Sequence, residues 1–406
     1  DNTRLLWGEL GPELDRMGLR ELYDTVELPL VPVLVKMERR GPLILRGEAA
    51  RVKALLHNEV DVAREAVWEA GFPPELNIGS HDQLARWLGE EGAPIRSITP
   101  GKEQPLTDAD TLKRVGAIGW RPELINAILR FRTFRKLGAF AESFLEFSAW
   151  DGALHPNFNQ CGHYEEASDE AGGAPPGRLS CSSPNLQQIP HHGRGKDADY
   201  AEWGDMLRRC VAARPGYLLV AADVGQQEPR VTAFVAPEPT MLEDFRAGVP
   251  VYSSMGEAIY GYPIHKDAHP REWHVAKTFF LAYVYGCDWG KLREIDPTLS
   301  REQALAGYTR VAWRYRGLPP YRARVAAEAR AQGYVRDWFG RVRWIPKVFA
   351  VRPDQVAEGD REAVNFTIQA PAASSIKLAM IEADRLVREL HLDAHLLIQV
   401  HDELVW

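Results

Sequence analysis

The chain reads as an α+β protein, and three features of the sequence predict that class. From Leu5 to about Phe147, apolar residues recur at three- and four-residue spacing with polar residues between them, which is the period of a helix. Two short apolar runs, "YLLVAAD" (Tyr217 to Asp223) and "HLLIQVHDELVW" (His395 to Trp406), carry strand patterning with acids at or near their ends. Helical spacing returns between them, from about Pro239 to Ala331. The order helices, strand, helices, strands implies one sheet interrupted by a helical insertion. Within the first region, "GSHDQLARWL" has Ser80 followed three residues later by Gln83, a capping-box start. "TDADTLKRV" is expected to begin a helix in the same way at Thr107. The Pro- and Gly-bearing stretch between them, "EEGAPIRSITPGKEQP", reads as a loop, as does "CGHYEEASDEAGGAPPG" (Cys161 to Gly177), which has little that could be buried.

At 406 residues the chain exceeds what a single core usually supports, so two or three subdomains are expected. Apolar content of 45% and charged content of 26% exclude a largely disordered chain. A net charge of −7 does not announce a nucleic-acid partner, so any such contact must come from local basic stripes. The four cysteines, Cys161, Cys181, Cys210 and Cys287, lie 20, 29 and 77 residues apart and form no C-x-x-C pair. That argues against a zinc site and for reduced thiols in a cytoplasmic compartment. No apolar run is long enough to cross a bilayer, and the amino terminus has no signal-peptide pattern. The start at Asp1 suggests a piece of something longer.

Asp223 and Asp402 each follow an apolar strand and lie 179 positions apart. If those strands are neighbours, two carboxylates converge at one sheet end, a hard-oxygen site suited to Mg²⁺. The stretch "HPREWHVAKTFFLAYVYG" has Pro270 suited to a first helical turn and Gly286 suited to a stop. Lys277, Leu281 and Tyr285 then fall at i, i+4 and i+8 along one face.

Together and in this order, these stretches resemble the family A, polymerase-I-like DNA polymerases. "DVGQQEPR" (Asp223 to Arg230) is similar to the first palm motif and "KTFFLAYVYG" (Lys277 to Gly286) to the fingers motif. "QVHDELV" matches the second palm motif at every position. Four further blocks agree in order: "ELPLVPVLVKMERRG" from Glu27, "ILRFRTFRKL" from Ile128, "GRLSCSSPNLQQIP" from Gly177 and "REAVNFTIQAPAASSIKLAM" from Arg361.

The resemblance implies a right-hand polymerase with an antiparallel palm sheet, a helical thumb and helical fingers. The implied divisions are 1–28 leader, 29–147 thumb, 148–235 first part of the palm, 236–344 fingers and 345–406 second part of the palm. It implies DNA-templated addition of deoxynucleotides to a primer 3′-hydroxyl by two-metal phosphoryl transfer, with two Mg²⁺ ions, or Mn²⁺ in their place, held by Asp223, Asp402 and the Val224 carbonyl. Glu403 would sit beside them, and Lys277 would meet the triphosphate. Gln226, Glu228, His274, Leu281 and Tyr285 complete the implied nucleotide site, with Glu228 and Tyr285 filling the space a ribose 2′-hydroxyl would need. The implied DNA contacts are Arg132, Lys136, Arg178, Asn185, Gln187, Arg361, Asn365, Gln369 and His401. Arg178, Gln369 and His401 suit the minor groove, where every Watson–Crick pair offers acceptors at similar positions. Primer–template DNA and deoxynucleoside triphosphates are the implied partners of a monomer that binds no membrane.

Departures from the family pattern sharpen the expectations. Trp273 stands where most members have an arginine four residues before the motif lysine. Arg271 is about 240° around the helix from Lys277, whereas His274 is about 60° away and is the better substitute. Leu281, usually aromatic, points to a phage-type member. No exonuclease block precedes residue 1, so proofreading is not expected of this piece, and members of the family usually continue past the second palm motif. The rival readings are a polymerase tolerant of RNA template or product, a catalytically weak DNA-binding fragment, and a metal-dependent nuclease.

Overall fold

The computed structural model describes residues 2–95, 105–161, 175–189 and 200–406. Most of the loop expected from Cys161 to Gly177 lies outside these. The chain divides into two compact units: Gly41–Pro156 with Ser183–Leu218, and Asp1–Arg40 with Asn157–Ser182 and Leu219–Trp406.

The first of these units is built on two long helices, Arg46–Glu69 and Pro122–Phe147, packed along each other. Pro122 opens the second where its missing amide costs nothing. Val67, Phe72, Leu84, Trp87, Leu112, Leu124, Ile128 and Phe131 form the core, and Phe72 meets Trp87 edge-on with ring centroids 4.9 Å apart. Ser80 caps the helix His81–Glu90 by accepting from the Gln83 amide at 3.3 Å, but Gln83 Oε1 accepts from the Asn77 amide at 2.6 Å rather than closing the box. The next helix, Ala109–Ala117, starts one residue later than expected: Asp108 is its cap, accepting from the Asp110 and Thr111 amides. Thr107 instead turns its hydroxyl to His81 Nδ1, 2.9 Å away. Gly41, at φ +56°, is obligatory, because a Cβ there would lie 1.7 Å from the Leu154 carbonyl oxygen.

In the other unit the sheet has three antiparallel strands in the order Ala221–Asp223, Glu403–Val405, Ile398–Val400. The first is shorter than the run "YLLVAAD" suggests. A turn closed by the Tyr217 amide on the Arg214 carbonyl takes up its start, and Leu218 is 84% exposed. Between the strands lies the helical insertion, including Gln227–Val235, Val251–Tyr260, Pro270–Val284, Arg301–Arg314 and Leu318–Gln332. It is followed by the hairpin Tyr334–Arg336/Val342–Trp344 and the 37-residue helix Pro353–Glu389. One core, including Phe279, Phe280, Tyr283, Val311, Tyr315, Tyr321, Phe366 and Ile368, joins the insertion to the long helix. The architecture is α+β, with antiparallel sheets and a predominance of helix. None of the four cysteines forms a disulfide, and among the described residues no helix is long and apolar enough to cross a membrane.

Candidate active site

Two strands far apart in sequence deliver the acids. The ladder pairs Ala221 with Val405, Ala222 with Leu404 and Asp223 with Glu403. One step on, the Val224 amide donates to the Asp402 carbonyl at 3.1 Å. Asp223 and Asp402 therefore occupy the same end of the same sheet, held by main-chain bonds. His401 and Asp402 form the two-residue turn of the closing hairpin, with Val400 opposite Glu403. His401 has φ +56°, a left-handed conformation that costs a non-glycine residue free energy and is kept where the side chain is needed. Beneath the turn, Gln399 is buried and donates from Nε2 to the His401 carbonyl at 2.6 Å.

Next to the acids is a cavity of about 240 Å³ lined in part by Arg178, Gln227, Glu228, Lys377, His401 and Asp402. Glu228 sits in the first turn of the helix Gln227–Val235, where a carboxylate also suits the helix dipole. Pro229 falls in that same turn, among amides that have no intrahelical partner. Tyr285 caps the C-terminus of Pro270–Val284, and its hydroxyl donates to Glu228 Oε1. Burial, then the Glu228 charge, push that phenol well above its ordinary pKa, with the Gln369 side chain opposing part of the rise. Arg178 Nη2 lies 3.6 Å from Glu228 Oε2.

The helix Pro270–Val284 buries Val275, Ala276, Phe279, Phe280, Tyr283 and Val284. His274 and Lys277 are exposed, and Leu281 and Tyr285 half-buried, so the expected stripe is the helix's open face. Arg271 is turned elsewhere, bonded to the buried Asp296 and to Thr298. Trp273 packs edge-on against Tyr252, centroids 5.8 Å apart.

Some expected residues are placed otherwise. Gln226, in a left-handed conformation, uses Oε1 to accept from the Val251 amide at 3.0 Å, at the start of the helix Val251–Tyr260. In the other unit, Arg132 does not share an open stripe with Lys136. Its guanidinium is half-buried and donates to the Thr107 carbonyl, while Lys136 stays exposed, because residue 132 falls on the side of the helix covered by the Thr107 segment. Asn185 caps a 3₁₀ turn by accepting from the Gln187 amide at 3.1 Å. Arg361, Asn365 and Gln369 do form an open stripe on the long helix, with Ala363, Val364, Phe366, Thr367 and Ile368 buried around it. The buried Asn365 Oδ1 has no hydrogen-bond partner.

The sequence did not reveal Tyr252 or Lys377. Burial, followed by the charges of Glu228 and Asp402, pushes the Tyr252 hydroxyl up to about 12, which places it in the field of both acids. Lys377 is fully buried at the cavity wall.

Among the described residues, no three His, Cys, Asp or Glu side chains are gathered so as to hold an ion by themselves. Asp223 and Asp402, at one sheet end, would offer hard oxygen donors of the kind that suit Mg²⁺, an ion commonly held by only one or two carboxylates.

Residues 47–406 match the family model for DNA polymerase family A. DNA polymerase I of Pseudomonas aeruginosa is 32% identical over 395 residues, covering 96% of this chain and 40% of that protein. The thermostable DNA polymerase I of Thermus aquaticus is 32% identical over 411 residues, covering 98% of this chain and 45% of that protein. Among solved structures, the POL domain of Pol1 from M. smegmatis in complex with DNA primer-template and dNTP superposes with a TM-score of 0.84 at 28% identity, covering 98% of this chain and 66% of that one. The chain thus spans about two-fifths of the length of the curated relatives it matches. With the acids, the lysine stripe and the Glu228–Tyr285 pair in this arrangement, the chain belongs to DNA polymerase family A.

Proposed function

We propose that the chain is the polymerase core of a DNA-templated DNA polymerase that joins deoxynucleotides to a primer 3′-hydroxyl. The observation that carries this reading is the convergence of Asp223 and Asp402 at one sheet end beside a cavity that also holds Glu228. Asp223, Asp402 and the Val224 carbonyl would hold Mg²⁺, which supplies Lewis-acid activation of the hydroxyl and offsets charge on the phosphates. Lys277 neutralises triphosphate charge on the open helix face, with His274 as the second donor. Leu281 packs against the base or sugar. Glu228 and Tyr285, bonded to each other, fill the volume a 2′-hydroxyl would enter, so a ribonucleotide meets both a clash and a disrupted hydrogen bond. Arg178, Gln369 and His401 read the shape of the terminal pair. Arg361, Asn365, Gln187 and Lys136 contact the template and primer.

Primer extension with Mg²⁺ tests this reading. Deoxynucleotides are expected to be added with kcat/KM at least about a hundredfold above that for ribonucleotides, a difference of roughly 2.7 kcal/mol. Equal use of both would favour an RNA-tolerant enzyme, shortening of the primer a nuclease, and binding without extension a non-catalytic fragment.

Leu281 gives a second test. Phenylalanine or tyrosine there restores an aromatic face, and either substitution is expected to change kcat/KM for deoxy- and dideoxynucleotides by about three- to tenfold, in line with a contact worth about 0.5–1.5 kcal/mol. Unchanged kinetics in both variants would remove Leu281 from the nucleotide site.

A further inference from the structure

We propose that sugar selection and reading of the primer end are coupled in this chain through one carboxylate, Glu228, with Arg178 as its positioning residue. The proposal rests on the polymerase reading above. Both oxygens of Glu228 are engaged: Oε1 accepts from the Tyr285 hydroxyl, and Oε2 faces Arg178 Nη2 at 3.6 Å. Two residues assigned to the sugar and one assigned to the minor groove thus form one chain, Arg178–Glu228–Tyr285. They come from three separate segments: the approach to the strand Ser180–Ser182, the first turn of Gln227–Val235 and the end of Pro270–Val284.

The contact between Arg178 and Glu228 is loose in the way a switchable contact must be. At 3.6 Å it is an ion pair and not a hydrogen bond, and the side chains keep 35% and 21% of their exposure. Arg178 has five N–H donors in a rigid fork, so a primer-end acceptor can take one edge while the charge still faces Glu228. A matched terminal pair holds the guanidinium in place, and the guanidinium in turn holds the carboxylate against Tyr285. A mispaired end moves the acceptor, Arg178 loses its anchor, and Glu228 gains freedom to turn away from the volume it fills. Discrimination against ribose then falls at a mispaired primer end.

The experiment is a double-mutant cycle on nucleotide preference, the ratio of kcat/KM for a deoxynucleotide to that for its ribonucleotide, on matched and mismatched primers. Arg178→Ala is expected to lower the preference at least about fivefold on a matched primer, a coupling of ordinary size for residues in one network. Arg178→Lys, which keeps the charge, should recover part of that loss. With Glu228→Ala in place, neither Arg178→Ala nor a terminal mismatch should lower the preference further. A 3′-dideoxy primer gives the same comparison without chemistry, as the ratio of Kd values for the two nucleotides in the ternary complex. If Arg178→Ala slows both nucleotides alike, or if its effect on preference multiplies with that of Glu228→Ala, the coupling is overturned while the polymerase reading stands. If the parent chain neither extends primers nor forms a ternary complex, the polymerase reading falls and the coupling with it.

Discussion

Asp402→Asn is expected to reduce primer extension at least about a thousandfold, a loss of roughly 4 kcal/mol of transition-state stabilisation, while primer–template binding stays within a few fold. The substitution keeps the shape of the side chain and removes one negative charge. What positions residue 402 is main-chain: the hairpin pairing of Val400 with Glu403 and the Val224 amide on the Asp402 carbonyl at 3.1 Å. Neither depends on the carboxylate, so the sheet end should keep its form. Apart from the neighbouring His401, whose place is set by the same main-chain bonds, the proposed DNA contacts lie elsewhere, on the long helix, at Arg178 and in the other unit, which is why binding should survive. Single-turnover extension with Mg²⁺, run beside a binding titration on the same variant, separates the two effects. Retained extension would remove Asp402 from the site, and parallel loss of binding would mean that the hairpin itself had failed.

The acids were legible in the sequence because a strand followed by a turn fixes where the next side chain goes, whatever the distance to its partner along the chain. The stripe Lys277, Leu281, Tyr285 was legible for a similar reason: helical period decides which residues share a face. The same period correctly set Arg271 apart from Lys277, and the structure shows it bonded to Asp296. Reading failed where tertiary neighbours decide the outcome. Arg132 and Lys136 are one helical turn apart, yet only the first is covered by the Thr107 segment. The bond from the Val251 amide to Gln226 Oε1, at the start of the helix Val251–Tyr260, likewise has no local signal. Asp108 displaced Thr107 as a cap because its carboxylate reaches two amides at once. Tyr252 carries no local signal at all, being one more aromatic in a helix. Its nearness to Glu228 and Asp402 exists only after the insertion has folded back on the sheet.

The least legible feature has the largest expected effect on stability. Glu27 accepts from Lys377 Nζ at 2.9 Å on both oxygens, from Arg341 Nη2 at 2.5 Å and from Gln160 Nε2 at 2.9 Å. The residues come from quoted motifs or from loops hundreds of positions apart, and nothing local links them. Lys377 is 1% exposed and Glu27 18%, so this cluster of two cations and one anion is largely out of water. Its charge count makes the response to mutation asymmetric. Glu27→Ala leaves two buried cations facing each other without a counter-charge, and the expected loss is about 3–5 kcal/mol. Lys377→Met leaves a balanced Arg341–Glu27 pair and is expected to cost less than about 1.5 kcal/mol. Urea unfolding followed by the midpoint at constant slope distinguishes the two. The pH dependence has a definite sign. Burial pushes the Glu27 carboxyl up, but Lys377 and Arg341 together outweigh it and hold the group below its ordinary value of 4.5. Its contribution is therefore fully present above pH 4.5 and lost as pH falls through the lowered folded value, below which the folded chain binds the same proton as the unfolded one. Burial also pushes the Lys377 ammonium below its ordinary 10.5, only partly offset by Glu27, so between the lowered value and 10.5 this residue makes stability rise with pH. Equal destabilisation by Glu27→Ala and Lys377→Met would show that packing, and not the charge balance, is what the cluster contributes.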